Sequence, residues 1–417
     1  MQPGAEFVVE VGPVAHGGHC VARHDGQVVF VRHALPGERV RVVVTGVGAR
    51  GRYLRADAVA VLAGAAGRRT PPCPHAGPGR CGGCDWQHAV PELQRDLKAA
   101  VVREQLERLG GVHGPLVDAI QVEPVAGDDG GLGWRSRVRW GVDEDGRPGL
   151  RRHRSHDLEV IEHCPLVTAG VDRTGASRTR WPAAQEVHVV ASAVGDRVVT
   201  ATPAGSPQPA LSGDVVVHTG GPAPRVRERA AGRTWRVSAT GFWQAHPGAA
   251  DAFVAAVAAY LQPRPGEHLL DLYCGVGLFA GALAASLGPG GRVDAVEADG
   301  QACADARRNL HDLPTVRLHH DRVERWWTSR AAPKRCDLVV LDPPRSGAGE
   351  AVLRGLVRRR PRAVAYVACD PAALARDVRT MGSFGYVLQA VRAFDAFPNT
   401  HHLECVALLT KTGSDLR

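Results

Sequence analysis

The stretch Glu267-His268-Leu269-Leu270-Asp271-Leu272-Tyr273-Cys274-Gly275-Val276-Gly277-Leu278-Phe279-Ala280 decides the fold. An apolar run ends in a G-x-G-x-x-A turn and passes straight into a second apolar run. A strand that turns through glycines into a helix brings its backbone close to a ligand at the carboxyl edge of a sheet. Dinucleotide sites share the bare pattern, so context has to sharpen it. The next predicted strand, Val293-Asp294-Ala295-Val296, delivers Glu297 to the same edge, where an acid meets ribose hydroxyls. Asp271, ahead of the glycines, suits the amino group of S-adenosylmethionine better than a pyrophosphate.

Outward from this turn the chain alternates strands and helices, the mark of a parallel sheet. Strands are predicted at 267–273, 292–297, 315–320, 336–341 and 363–368. Two further apolar runs, 386–394 and 402–410, lie too close for a helical crossover and are expected to pair as an antiparallel terminal hairpin. The expectation is an α/β domain over 236–417 with a seven-stranded Rossmann-like sheet.

Reactive residue types fall at the ends of these strands. Cys369, in Ala368-Cys369-Asp370-Pro371, stands between an apolar strand and a helix running from Pro371 to Met381. Helix N-terminal NH groups lower a thiol pKa, so Cys369 is expected to be nucleophilic near neutral pH. Asp342-Pro343-Pro344-Arg345 ends another strand, with two prolines that stiffen the backbone and remove donors. An amino-group methyltransferase would follow the prolines with an aromatic residue, and a cytosine-C5 enzyme would carry a Pro-Cys pair there. This chain has neither. Methylating C5 of uracil needs a thiolate to add at C6 and a base to remove the C5 proton afterwards. Cys369 and Glu404, the latter in Thr400-His401-His402-Leu403-Glu404, meet that requirement.

The rest of the chain is organised differently. Residues 1–65 read as short strands, among them 7–11, 27–31 and 39–44, punctuated at Gly17-Gly18 and Pro36-Gly37. They predict an OB-like barrel, a fold that often binds oligonucleotides. Residues 66–235 form a central α+β domain with a helix over 91–109 that is expected to pack on the catalytic domain. The segment Trp134-Arg135-Ser136-Arg137-Val138-Arg139-Trp140 reads either as an RNA contact or as a solvated edge strand. Cys73-x7-Cys81-Gly82-Gly83-Cys84 is a metal-ligand pattern, with Cys164 as the fourth ligand. Both zinc and a 4Fe–4S cluster accept four thiolates.

Composition bounds the partners. The 417 residues carry 51 basic and 43 acidic side chains, a net charge of +8, and only Lys98, Lys334 and Lys411 are lysines. Arginine recognises phosphate in a planar, bidentate fashion, so this balance fits a nucleic-acid partner. No apolar run is long enough for a membrane span, and the first residues lack a signal-peptide pattern. A cytoplasmic enzyme is expected, with no membrane partner and no obligatory protein partner.

Together these motifs resemble the bacterial RNA 5-methyluridine methyltransferases, the TrmA/RumA-like group, over nearly the whole chain. The resemblance rests on Phe242-Trp243-Gln244, Asp271 to Gly277, Asp342 to Arg345, Cys369-Asp370-Pro371 and Phe397 to Glu404. It implies that the barrel is a TRAM domain and that Cys73, Cys81, Cys84 and Cys164 hold the 4Fe–4S cluster of the ribosomal-RNA branch. It implies S-adenosylmethionine contacts at Gln244, Tyr273, Glu297 and Asp342, an adenine contact at Asp321, a nucleophile at Cys369 and a proton acceptor at Glu404. The substrate it implies is a uridine of 23S-type ribosomal RNA. Alternatives are a transfer-RNA substrate and a non-catalytic RNA-binding protein on the same fold. Asp370 departs from the Asn that many members carry there.

Overall fold

The computed structural model describes residues 1–211 and 213–413. Strands Leu338–Leu341 and Ala363–Ala368 are buried at every position, as central strands covered by helices on both faces must be. The sheet they centre has the order Val316–His320, Arg292–Glu297, His268–Leu272, Leu338–Leu341, Ala363–Ala368, Glu404–Lys411, Tyr386–Asp395, Val122–Pro124. Its first five strands are parallel. Glu404–Lys411 then inserts antiparallel between Ala363–Ala368 and Tyr386–Asp395, so the expected hairpin is present. The expectation of seven strands is corrected to eight. Val122–Pro124, from well before the domain, adds parallel to Tyr386–Asp395 and is clamped there by a bidentate Arg392–Glu123 pair (2.7 and 2.8 Å). Three residues carry no readable period, and this strand exists only because an edge was waiting for it.

One face of the sheet is covered by helices Ala249–Leu261 and Leu278–Leu283, which bring Phe253 and Phe279 into the core. The other is covered by Gly349–Val357 and Pro371–Ser383, with Leu353, Leu356 and Leu374. The N-terminal strands Glu6–Val14, Cys20–His24, Gln27–Arg32, Arg39–Val47 and Tyr53–Ala63 close into a barrel around Val9, Val29, Val40 and Leu54.

Helix Pro91–Gln105 joins the two bodies. Leu97 and Val101 pack into the barrel's cluster while Ala99, Val102 and Leu106 pack into that of the catalytic sheet. The predicted helix over 91–109 continues past Gln105 as a wider, π-type turn, Leu106–Gly110. Lys98, fully buried, reaches Asp395 Oδ1 at 2.5 Å and donates to the carbonyl of Phe397 at 3.1 Å.

The central segment forms a six-stranded sheet, in the order Val215–His218, Arg197–Thr202, Glu186–Ala191, Arg137–Val142, Pro148–Arg151, Leu158–Val160. A hairpin, Arg225–Ala230 with Arg233–Ser238, follows it. Arg137–Val142 lies in the interior of this sheet, so the Trp134–Trp140 segment is not an edge strand. Trp134 and Trp140 are buried, and Arg137 pairs with Glu228 at 3.0 Å. Among the described residues no helix is long and apolar enough to cross a membrane.

Candidate active site

Asp271, Glu297 and Asp342 meet at the carboxyl ends of three adjacent parallel strands. Glu297 is held by backbone donors: Gly275 N–H reaches Oε2 at 2.9 Å, and the N–H groups of Ala298 and Asp299 reach Oε1 at 2.7 Å. Asp271 accepts from Ala280 N–H at 2.7 Å through Oδ2, while its Oδ1 is buried without a partner. Burial, with Asp342 and Glu297 nearby, pushes the Asp271 carboxyl up to about 7. Burial and Glu297 do the same to Asp342, also to about 7. A clustered, partly orphaned set of acids calls for a cation.

The turn beside them leaves room for one. Gly275 has φ +55, and a Cβ built there meets nothing within 4 Å. Tyr273, a non-glycine residue at φ 65, holds a sparsely populated conformation at the strand end. The ammonium and sulfonium charges of S-adenosylmethionine fit this donor set. Asp321 N–H donates to the Glu297 carbonyl at 2.9 Å, which brings it to the same edge, but its carboxylate is paired with Arg325. Gln244 lies apart, half-buried, lining a separate cavity of about 250 Å³ with Ser136, Ser192 and Glu228.

The antiparallel register places Ala368 opposite Cys405, so the next position outward sets Cys369 opposite Glu404. Directly opposed residues have Cβ atoms about 5 Å apart. Glu404 is buried, and burial and Asp342 raise its pKa well above the carboxylate range. Burial and Glu404 also push the Cys369 thiol up to about 11, against the opposing charge of Arg345. This corrects the expectation of a thiolate stabilised by its helix. The first turn of Pro371–Ser383 is instead capped by Asp370, which accepts from Ala373 N–H at 2.7 Å, and the acids around Cys369 outweigh the helix end.

A cavity of about 110 Å³ opens at Cys369. Arg345 and His402 line it from the catalytic domain, Trp86 from the cysteine-rich loop, and Gly17 and Gly18 from the barrel. Burial, with His401 and Arg345 nearby, lowers His402 to about 4 and keeps it neutral. The barrel's part in this pocket was missed in the sequence, where Gly17-Gly18 reads only as turn punctuation. Trp86 Nε1 donates to the Gly18 carbonyl at 3.0 Å, and His16 Nε2 lies 3.1 Å from Asp370 Oδ2. That hydrogen bond raises the pKa of His16. Burial would raise Asp370, but His16 and the helix amide hold it down. Asp370 thus gains an ionisable partner in the barrel.

A Cβ on Gly18 (φ +81) would stand 2.6 Å from Cβ of His401. Gly18→Val is therefore expected to undock the barrel and to lower methylation about 10²-fold through misplacement of the pocket wall. Gly26→Ala is the control. It has a similar φ, +77, but a Cβ there meets nothing within 4 Å. Rates on one RNA substrate, with melting curves of both variants, check the difference.

The catalytic loop is also tied to the cysteine-rich loop. His401 Nδ1 lies 2.7 Å from Asp85 Oδ2, and the carbonyl of Asn399 accepts from the N–H groups of Asp85 and Trp86. Asn399 is buried at φ 65, and its side chain is held by Arg69, Gln94 and Gly131. Next to Asp85, Cys84 joins Cys73, Cys81 and Cys164 at one locus. Burial raises the thiols of Cys73, Cys81 and Cys84, to about 11 for Cys81 and about 12 for Cys84, and the charge of Cys164 raises all three further. Gly83 N–H and Gln87 Nε2 donate to the sulfurs of Cys81 and Cys84 at 3.4 and 3.3 Å. Among the described residues no group of three or more His, Cys, Asp or Glu is disposed to hold a metal ion. The central domain therefore shows four neighbouring thiols, and the iron–sulfur content expected of it is not shown.

The profile of the TRAM domain matches residues 1–59, and that of the tRNA (uracil-5-)-methyltransferase family matches residues 234–412. The 23S rRNA (uracil(1939)-C(5))-methyltransferase RlmD of Chromohalobacter salexigens is 34% identical, over 95% of this chain and 88% of that protein. This chain is an RNA (uracil-5-)-methyltransferase of that family. An RNA methyltransferase of Streptomyces avermitilis is 49% identical, over 99% of this chain and 100% of that protein. Among solved structures, the Pyrococcus abyssi tRNA (uracil-54, C5)-methyltransferase, in complex with S-adenosyl-L-homocysteine, shares the fold. Its TM-score is 0.70 at 20% identity, over 97% of this chain and 100% of that one. Family membership makes the chain an S-adenosylmethionine-dependent enzyme that methylates uracil C5 in RNA, with a TRAM domain as its barrel.

Proposed function

We propose that this methyltransferase modifies a uridine of 23S-type ribosomal RNA, in the cytosol, by covalent catalysis from Cys369 with Glu404 as the base. The observation that supports the mechanism is the register that pairs Ala368 with Cys405, which brings the adjoining Cys369 and Glu404 to the same end of the sheet as Asp342. The target uridine leaves its stack to enter the pocket walled by Gly18, Trp86 and His402. The Cys369 thiolate adds to C6, and the electrons of the C5–C6 double bond move to the O4 enolate. Arg345, the cation that offsets the acids at Cys369 and Glu404, favours this charge. S-adenosylmethionine supplies the electrophilic methyl group that C5 takes. Glu404 then accepts the C5 proton, and the C6–S bond breaks to restore the double bond and the thiolate. Tyr273, Glu297 and Asp342 hold the methyl donor at the sheet edge, with Asp321 at its margin, while Gln244, in its separate cavity, does not adjoin them.

We read the chain as three parts: the TRAM barrel 1–65, a central domain 66–235 and the catalytic domain 236–417. Ribosomal RNA is favoured by the likeness to RlmD proteins along nearly the whole chain, the central domain included. The cluster reading rests on the sequence spacing, Cys73-x7-Cys81-x2-Cys84 with Cys164, four thiolates being the ligand set that a 4Fe–4S cluster takes. Protein purified without oxygen is then expected to be brown and to absorb near ~400 nm. Colourless protein with stoichiometric zinc rejects the cluster. The substrate is tested by incubating purified enzyme with ribosomal and transfer RNA from cells lacking its gene and mapping 5-methyluridine. Methylation confined to transfer RNA overturns the ribosomal assignment.

A further inference from the structure

The segment following the short helix Val323–Trp326 and the end of helix Gly349–Val357 line an open surface depression of about 520 Å³. Arg330, Lys334 and Arg358 stand exposed around it, Arg359 forms a wall, and no carboxylate lines it. Arg359 is half-buried and fixed. Its Nε donates to the Pro333 carbonyl at 3.1 Å, Nη1 to Gly355 at 2.8 Å and Nη2 to Trp327 at 2.9 Å. The guanidinium lies 4.4 Å over the Trp327 ring. All of these partners are neutral. Other half-buried or buried arginines divide: Arg68, Arg137 and Arg362 pair with Glu38, Glu228 and Glu267, whereas Arg69 and Arg103, like Arg359, donate only to neutral partners. The charges acting on Arg359 are the Cys336 thiol and Arg358, with no carboxylate among them. A half-buried guanidinium whose partners are all neutral keeps a net positive charge that, with Arg330, Lys334 and Arg358, favours an anion at this surface.

We propose that this depression is a phosphate site that grips the backbone of the folded RNA substrate at a distance from the target uridine. Cys336 precedes strand Leu338–Leu341, and Asp342 follows it, so the depression lies at the sheet edge opposite Cys369. Six extended residues separate those edges by about 20 Å. The phosphates that reach Arg358 therefore lie several nucleotides or more from the inserted uridine. A long folded RNA presents such phosphates there, and a stem-loop too short to span that distance does not.

The test is the triple variant Arg330→Ala, Lys334→Ala, Arg358→Ala, which leaves the packed Arg359 in place. Two RNAs are compared across a salt series: a long folded ribosomal fragment containing the methylated uridine and a short stem-loop around the same uridine. Expected are a loss of about tenfold or more in affinity for the long fragment and a salt slope shallower by about 2. Stem-loop methylation stays within about twofold of wild type. Unchanged affinity and salt slope on the long fragment overturn the proposal, as does an equal loss on both RNAs. Melting curves with inorganic phosphate and with AMP form the second arm. A stabilisation lost in the variant while RNA affinity holds would assign the depression to a free phosphate ester and reject the RNA backbone as its ligand. The single variant Arg358→Glu gives the same comparison if the triple variant does not fold.

Discussion

Cys369→Ala is expected to lower uracil methylation by about 10⁴-fold or more, because removing a covalent nucleophile removes the whole route and not an increment of it. The same substitution leaves S-adenosylmethionine binding intact, since the acids that face the donor, Asp271, Glu297 and Asp342, come from other strands. With wild-type enzyme, RNA carrying 5-fluorouridine at the target is expected to form an adduct that survives denaturing electrophoresis. Fluorine at C5 does not leave as a proton, so the methylated adduct cannot collapse. Because burial and Glu404 hold the resting thiol up at about 11, adduct formation is expected to accelerate as pH rises from ~7 to ~9, through a growing thiolate fraction. An alanine variant that still methylates, or a wild type that forms no adduct on competent RNA, rejects the covalent route. An exocyclic-nitrogen methyltransferase would survive the loss of Cys369.

Glu404→Gln should divide the reaction at its last step. The amide keeps the size of the side chain but cannot take the C5 proton. Adduct formation is expected to continue while breakdown slows by about 10²–10⁴-fold, the range a positioned base contributes. Denatured samples quenched over time then show a protein–RNA adduct with ordinary uridine, which wild type clears. Removing the acid also removes a charge that holds the Cys369 thiol up, so adduct formation is expected to be no slower and to reach its plateau at lower pH. Equal slowing of formation and breakdown rejects Glu404 as the base.

Much of this site is legible in the chain because the chemistry sits at strand ends, where a continuous apolar run stops and a reactive residue stands. The strands ending at Leu272, Glu297, Leu341 and Ala368 are read in this way, with Asp271 and Glu297 at the ends of two of them and Asp342 and Cys369 following the others. The eighth strand is not legible, since three residues at Val122–Pro124 are defined by the edge they join. Trp134 to Trp140 misleads because its arginines suggest an exposed surface, whereas both tryptophans are buried in the central sheet. Gly17-Gly18 misleads in another way. Glycines that serve a turn and glycines that admit a neighbouring domain look alike until His401 is seen against Gly18. The basicity of Cys369 was misjudged because local sequence shows the helix and not the burial, nor the acids that other strands carry to the same place.

The position of strand Glu404–Lys411, between Ala363–Ala368 and Tyr386–Asp395, sets a timetable. It leaves the ribosome after both of its neighbours and has to slot between them. Until it does, each neighbour shows an open edge and Cys369 has no opposing carboxylate. A nascent chain can therefore seat its barrel and gather its donor-binding acids while still lacking the reaction's base. Chemistry on nearby RNA is withheld until Glu404 is in place, and any product stopped before it leaves two unpaired strand edges.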